Sequence, residues 1–384
     1  MAIRFGTDGW RAVISETFTF ENLRVVSQAI ADVVRMHHGE GAEVVVGFDT
    51  RFLSDRYARE VARVMAGNGI TAHLTRADAP TPAVSYAIVD KGASAGVMIT
   101  ASHNPPRYNG LKLKADFGGS VLPAEARQVE ARLDRNQREA RGPNLMDYAR
   151  ALDADLIRRF DPSWAYYQHL ESLIDLDTLC EAELRLVTDA MYGSGRGAFR
   201  DVLSRTPTYV REIHGEMNPG FGGIHPEPVG ANLQGLQVAV RQHHADVGLA
   251  TDGDADRLGA MDAQGTFVDP HHIFALVLRH LVEVRGMTGS VVKTVSTTRM
   301  VDRLAAKYGV PLHETPVGFN HIAEWMLNDR VLIGGEESGG LSILGHIPEG
   351  DGILMGLLLL EVMAAVGAPL AELMADVQAE VGPA

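Results

Sequence analysis

Ser102 stands in Thr100-Ala101-Ser102-His103-Asn104-Pro105-Pro106, directly behind the apolar run 95–99. A strand that delivers a serine into a proline-stiffened loop holds its hydroxyl fixed and exposed, as covalent catalysis requires. Asn109-Gly110-Leu111-Lys112-Leu113-Lys114 follows closely and adds cations. The same residues also suit an ordinary Ser/Asn turn, so Ser102 by itself leaves both readings open. No G-x-S-x-G elbow surrounds it, which argues against a serine hydrolase.

Asp252, Asp254 and Asp256 alternate in Asp252-Gly253-Asp254-Ala255-Asp256-Arg257. Carboxylates at i, i+2 and i+4 of an extended loop project to one side and offer hard oxygen ligands that suit Mg²⁺. An EF-hand is excluded, because Arg257 takes the glycine position and Ala263 the terminal glutamate position. Carboxylates this close repel one another unless a cation neutralises them. A third loop, Gly334-Gly335-Glu336-Glu337-Ser338-Gly339-Gly340, sets polar side chains between glycines, so backbone and carboxylate can approach a polyhydroxylated ligand closely; a flexible surface loop would read alike. Gly193-Ser194-Gly195-Arg196-Gly197-Ala198, with Glu212 further on, matches a dinucleotide fingerprint. An NAD-dependent dehydrogenase would use it, but would leave the other three loops unexplained.

The elements that must position these loops are short strands alternating with longer helical patterns, the signature of α/β units with largely parallel pairing. Strands are expected over 43–48, 95–100, 184–189, 246–251, 290–295 and 331–333, and helices over 22–37, 55–68, 124–138, 197–204 and 353–366. Gly259-Ala260-Met261-Asp262, a turn at 263–265 and Thr266-Phe267-Val268 read as a hairpin. The fold class expected is three consecutive α/β domains with mixed, largely parallel sheets flanked by helices and an active-site cleft between them. A polar stretch at 136–144 and the strand end near Leu258 divide the chain into 1–150 (serine loop), 151–258 (metal binding) and 259–370 (sugar binding). Residues 371–384 read as a linker cut short.

The 384 residues, 46% hydrophobic and 22% charged, describe a folded chain of several domains. With 35 Lys+Arg against 49 Asp+Glu the formal charge is −14, which disfavours nucleic acid and anionic membrane as partners. Any phosphate-bearing ligand then needs a dedicated basic pocket. Cys180 is the lone cysteine, so neither a disulfide within the chain nor a thiolate metal site can form, and a reducing, cytoplasmic compartment is expected. Arg4, Asp8 and Arg11 interrupt the apolar core that a signal peptide would need. The apolar run 353–360 is too short for a membrane span and reads as a buried helix.

Taken in order, Phe5-Gly6-Thr7-Asp8-Gly9-Trp10-Arg11, the Ser102 loop with Asn109-Gly110-Leu111-Lys112, the aspartate loop, Thr315-Pro316-Val317-Gly318 and the Glu336 loop resemble the signatures of the α-D-phosphohexomutases, the phosphoglucomutase/phosphomannomutase family. The resemblance spans essentially the whole chain. It implies that Ser102 is carried as phosphoserine and that Asp252, Asp254 and Asp256 hold a Mg²⁺ that also touches the phosphoryl oxygen, so that Ser102 shares in the metal site. It implies that Arg257 stabilises the transferring group, that Arg11 and His103 are phosphate-facing cations, and that Lys112 is the general acid/base. Glu336 and Ser338 resemble the hydroxyl-binding pair, with Thr315 and Gly318 supplying the facing turn.

The reaction implied exchanges hexose 1-phosphate and hexose 6-phosphate through glucose 1,6-bisphosphate or its equivalent. Glucose is favoured and mannose is the second candidate, because sequences acting on glucosamine phosphate usually read Gln in place of Glu337 and His in place of Gly340. The partners implied are small hexose phosphates, and the protein is expected as a monomer or homodimer. Two departures accompany the resemblance. No Arg-x-Ser-Gly-Thr loop of the family's usual fourth, C-terminal domain is found, and Asn320 stands where related sequences commonly carry Lys. A truncated or inactive sugar-phosphate-binding relative is therefore the competing reading, with the dehydrogenase more distant.

Overall fold

Residues 3–6 and 8–383 are described by a computed structural model; Thr7 of the amino-terminal motif and Ala384 of the final segment lie outside them. The first sheet contains β1 (Trp10–Val13), β2 (Glu43–Phe48), β3 (Thr71–Thr75), β4 (Ala95–Ile99), β5 (Tyr108–Ala115) and β6 (Ile157–Phe160), in the order β1-β5-β4-β2-β3-β6. Its β4, β2, β3 and β6 are parallel, and β5 runs against both its neighbours. The second sheet contains β7 (Arg185–Asp189), β8 (Tyr209–Ile213), β9 (Val247–Thr251), β10 (Leu258–Asp262) and β11 (Phe267–Val268), in the order β11-β10-β9-β7-β8. The third contains β12 (Ser290–Thr294), β13 (Leu312–Thr315), β14 (Val331–Gly335) and β15 (Leu341–Ile343), in the order β13-β12-β14-β15.

Each sheet repeats one device. A parallel strand buried on both faces turns back into an antiparallel neighbour, β4 into β5, β9 into β10 and β14 into β15. The three connections are the serine loop, the aspartate loop and the Glu336 loop. Parallel strands release their chain at carboxyl ends, where ligand sites of α/β sheets form. Three short loops in equivalent positions thereby face one place.

Packing holds the sheets together. The helix Gly352–Val366 is apolar on every side and almost wholly buried, as an interior helix must be. Asp351 caps it, accepting hydrogen bonds from the backbone N–H groups of Ile353 and Leu354 at 3.0 and 2.9 Å. It lies in a hydrophobic core that joins Leu186, Phe199 and Leu249 of the second domain to Phe274, Val291 and Leu332 of the third, while the first domain keeps its own core around Leu23, Val44 and Val97. Among the described residues no single helix is long and apolar enough to cross a membrane.

Three expected boundaries differ from the structure. The first sheet runs past 150, because β6 pairs with β3; its four residues are too short a signal. The second runs past 258, because β10 and β11 complete the sheet of β9. Within the segment expected as a linker, residues 371–381 are helical instead. Leu370, Leu373, Val377 and Val381 make an apolar seam on the helix Leu370–Val381, which packs into the third domain's core.

Candidate active site

Ser102 is buried next to His103 and Asn104, which line a cleft of about 510 Å³ to which all three domains contribute. Its hydroxyl donates to Asp252 Oδ2 at 3.0 Å and lies 3.3 Å from His103 Nδ1. Its backbone has φ 49°, in the left-handed region that a serine seldom adopts. Gly253 permits the approach of the two loops, since a Cβ there would stand 2.6 Å from the Ser102 carbonyl oxygen. Thr81 locks the aspartate loop to the first domain, with its N–H 2.8 Å from Asp254 O and its hydroxyl 2.7 Å from Asp254 Oδ2.

Asp252, Asp254 and Asp256 are all buried, each with a carboxylate oxygen within 4.8 Å of the others. Burial and the charges of Asp256 and Asp254 drive Asp252 well above the usual carboxylate range. Asp254 Oδ1 and Asp256 Oδ1 are buried without any hydrogen-bond partner. Unsatisfied, mutually repelling oxygen donors are what a hard divalent cation would satisfy, so the site fits Mg²⁺.

Lys112 approaches the same carboxylates from β5, 2.6 Å from Asp256 Oδ2, 3.0 Å from Asp254 Oδ2 and 2.8 Å from Asp8 Oδ2. Burial opposes its charge, but these three carboxylates outweigh burial and hold the ammonium well above the usual lysine range. The expected general acid/base is thus held as an ammonium in this arrangement. His103 also departs from expectation. Burial, reinforced by the charges of Arg257 and Arg11, pushes its imidazole down to about 3, so it is neutral at pH 7. Arg257 and Arg11 remain as cations that line the cleft.

Opposite, Glu336 accepts a hydrogen bond from the Gly318 N–H at 3.0 Å, and burial pushes its carboxyl up to about 7 against the pull of Arg257. Ser338 Oγ faces the cleft buried and unpartnered. Thr315 is not brought in: its hydroxyl, buried at the end of β13, turns to the carbonyls of Pro316 and Lys293. Asn320 lines the cleft with its Oδ1 buried and unpartnered.

Asp8 and Glu349 join the site without having been singled out from the sequence. Glu349 binds Lys114 at 2.6 Å across 235 positions, and burial pushes it up to about 7. The local signal for Asp8 is its place in the motif of Arg11, and the local signal for Glu349 is its place in Pro348-Glu349-Gly350. The dinucleotide fingerprint dissolves in the fold. A Cβ at Gly193 would meet Asp252 O at 2.7 Å and one at Gly195 would meet Thr251 Oγ1 at 2.5 Å, so these glycines seat the aspartate loop. Glu212 accepts from the Gly197 N–H at 2.6 Å and closes that turn.

Comparison with known proteins agrees with this geometry. Family models of the phosphoglucomutase/phosphomannomutase alpha/beta/alpha domains I, II and III match residues 2–140, 164–265 and 269–381. A phosphoglucosamine mutase of Frankia casuarinae is 35% identical, over 96% of this chain and 80% of its own length. A phosphoglucomutase/phosphomannomutase of Thermococcus kodakarensis is 29% identical, over 96% and 79%. A solved structure from Thermus thermophilus, provisionally named a phosphomannomutase, superposes with a TM-score of 0.90 at 36% identity, covering 100% of this chain and 84% of the other.

Proposed function

The chain belongs to the phosphoglucomutase/phosphomannomutase family of phosphohexomutases, and from that premise we propose that it interconverts hexose 1-phosphate and hexose 6-phosphate, glucose phosphates before mannose phosphates, with Ser102 as the phosphoryl carrier. One observation carries the reading. Ser102 Oγ and Asp252 Oδ2 meet at 3.0 Å, although 150 positions apart, and their chain neighbours His103, Asn104, Asp256 and Arg257 line the cleft shared by all three domains. A nucleophile and a carboxylate cluster need share that point only if one phosphoryl group visits both.

Ser102 Oγ gives its phosphoryl group to one hexose oxygen and later receives one from the other end of the same sugar. Arg257 and Arg11 hold the phosphoryl oxygens, where fixed positive charge matters most for a transfer governed by positioning. Neutral His103 lies beside Ser102 Oγ and can hold a proton there without adding charge. Asp252, Asp254 and Asp256 would hold Mg²⁺, which when bound supplies positive charge to the transferring group. Lys112 keeps Asp254, Asp256 and Asp8 aligned. Glu336, which the Gly318 N–H orients, and Ser338 offer an acceptor and a hydroxyl for hexose hydroxyls, and burial of the cleft walls limits loss of the phosphoryl group to water.

The test is to incubate the protein with glucose 1,6-bisphosphate and Mg²⁺, locate phosphate by mass spectrometry, and assay glucose, mannose and glucosamine 1-phosphates. Phosphate at Ser102, together with turnover lost in Ser102→Ala at unchanged folding, is expected. An unmodified Ser102, or turnover retained by Ser102→Ala, removes it from the mechanism; a preference for glucosamine phosphate overturns the sugar assignment alone.

A further inference from the structure

Resting on Ser102 as the phosphoryl carrier, we propose that Arg51 is its positioning residue: one buried guanidinium at the carboxyl end of β2 ties four carbonyls of the serine loop into a rigid seat beneath the hydroxyl. Arg51 Nη2 donates to Ser102 O at 2.5 Å and to Asn104 O at 2.6 Å, while Nη1 donates to Pro105 O at 3.0 Å and to Tyr108 O at 3.1 Å. The loop supplies little of this order itself. Among its own backbone bonds are Asn104 N to Ala101 O and Tyr108 N to Pro105 O, and neither holds the carbonyl of Ser102.

That carbonyl decides the aim of the nucleophile. Ser102 takes a positive φ without the freedom of glycine, so its conformation persists only if its surroundings impose it. Arg51 holds the carbonyl oxygen of the peptide plane after Ser102, and Gly253 of the aspartate loop abuts the same oxygen. Rotation of that plane would carry the hydroxyl away from Asp252.

Arg51 is itself firmly seated. Its side chain is fully buried, 3.1 Å from Asp49 Oδ2. Asp49 Oδ1 in turn accepts from the Arg51 N–H at 3.0 Å and from Ser54 Oγ at 2.8 Å. The ring of Phe221, from the second domain, lies 4.9 Å from the guanidinium carbon. The pair with Asp49 compensates the buried charge, so Arg51 acts through geometry and not through contact with substrate. A planar fork with donors on separate nitrogens can hold carbonyls in several directions at once, which a lysine ammonium on one flexible stem cannot.

Arg51→Lys retains a charge opposite Asp49 while removing the fork. The expected result is a fall in kcat of about 100-fold at unchanged KM, with faster amide exchange confined to residues 101–108; guanidinium added to Arg51→Ala restores part of kcat. Wild-type kcat or unchanged exchange at 101–108 in Arg51→Lys overturns the proposal, as does a loss expressed in KM alone. If Arg51→Lys does not fold, the same readouts pass to Asp49→Asn/Arg51→Gln, which removes both buried charges together, and failure of both to fold assigns Arg51 a structural role and overturns it too. Wild type and Ser102→Ala run alongside. A wild type that neither turns over nor takes phosphate at Ser102 refutes the mutase reading, whereas amide exchange in the serine loop still judges Arg51 independently.

Discussion

Replacing Gly253 by alanine probes the meeting of the serine and aspartate loops with a single methyl group. Gly253 is not among the glycines of positive φ, so alanine strains no backbone there and acts only through space. The new Cβ would stand 2.6 Å from Ser102 O, where ordinary contact begins at 3.4 Å, leaving a deficit of 3.4 − 2.6 = 0.8 Å. Backbone atoms on one side, with Phe221 and Arg51 at 3.5 and 3.6 Å, allow little local relief, so the loops must part. A comparable displacement of Ser102 Oγ from Asp252, now at 3.0 Å, breaks their hydrogen bond. Misplacement of reacting groups by about 1 Å costs about 100-fold in rate, or about 2.7 kcal/mol in the barrier. The overpacking itself costs about 1–3 kcal/mol of stability. A coupled mutase assay should show the loss in kcat, with Gly142→Ala, whose Cβ meets nothing within 4 Å, as the unaffected control. Wild-type kcat in Gly253→Ala would refute the argument that the contact of these loops sets the catalytic distance.

Two further outcomes concern the frame that carries the site. Burial alone would raise the Glu361 carboxyl, but hydrogen bonds from His280, Arg285 and the Asp175 N–H bring it from 4.5 to about 2. At about 1.4 kcal/mol per unit, that shift stabilises the fold by about 3 kcal/mol; the stabilisation is complete above the unfolded value and disappears as pH falls from about 4.5 through about 2. Glu361→Gln should therefore lose about this much at pH 7 in urea denaturation and progressively less toward pH 2, and a cost independent of pH would contradict the assignment. Leu373→Ala, on the fully buried face of the helix Leu370–Val381, should cost about 2–5 kcal/mol, whereas a solvated linker would lose nothing measurable.

What could be read along the chain was local chemistry at strand ends. Asp252, Asp254 and Asp256 share one side of one loop because alternation in an extended backbone puts them there, and the structure finds them clustered. The interior helix was equally legible, because a run without charges from Ile353 to Leu360 has nowhere else to go. Four-residue strands such as β1, β6 and β13 were missed, since so short a segment carries too little periodicity to separate it from a loop.

Residue types and order therefore determined that a hydroxyl, a carboxylate cluster and a sugar-reading loop exist, each at the end of its own strand. Only the tertiary structure decided what each group faces. Lys112 became a charge enclosed by three carboxylates and His103 a neutral ring. Thr315 turned from the cleft, and Arg51 emerged beneath Ser102. Protonation and orientation depend on burial and on charges within a few ångströms. Such neighbours lie far apart in the chain, 144 positions for Lys112 and Asp256 and 235 for Lys114 and Glu349, a proximity that no local pattern encodes.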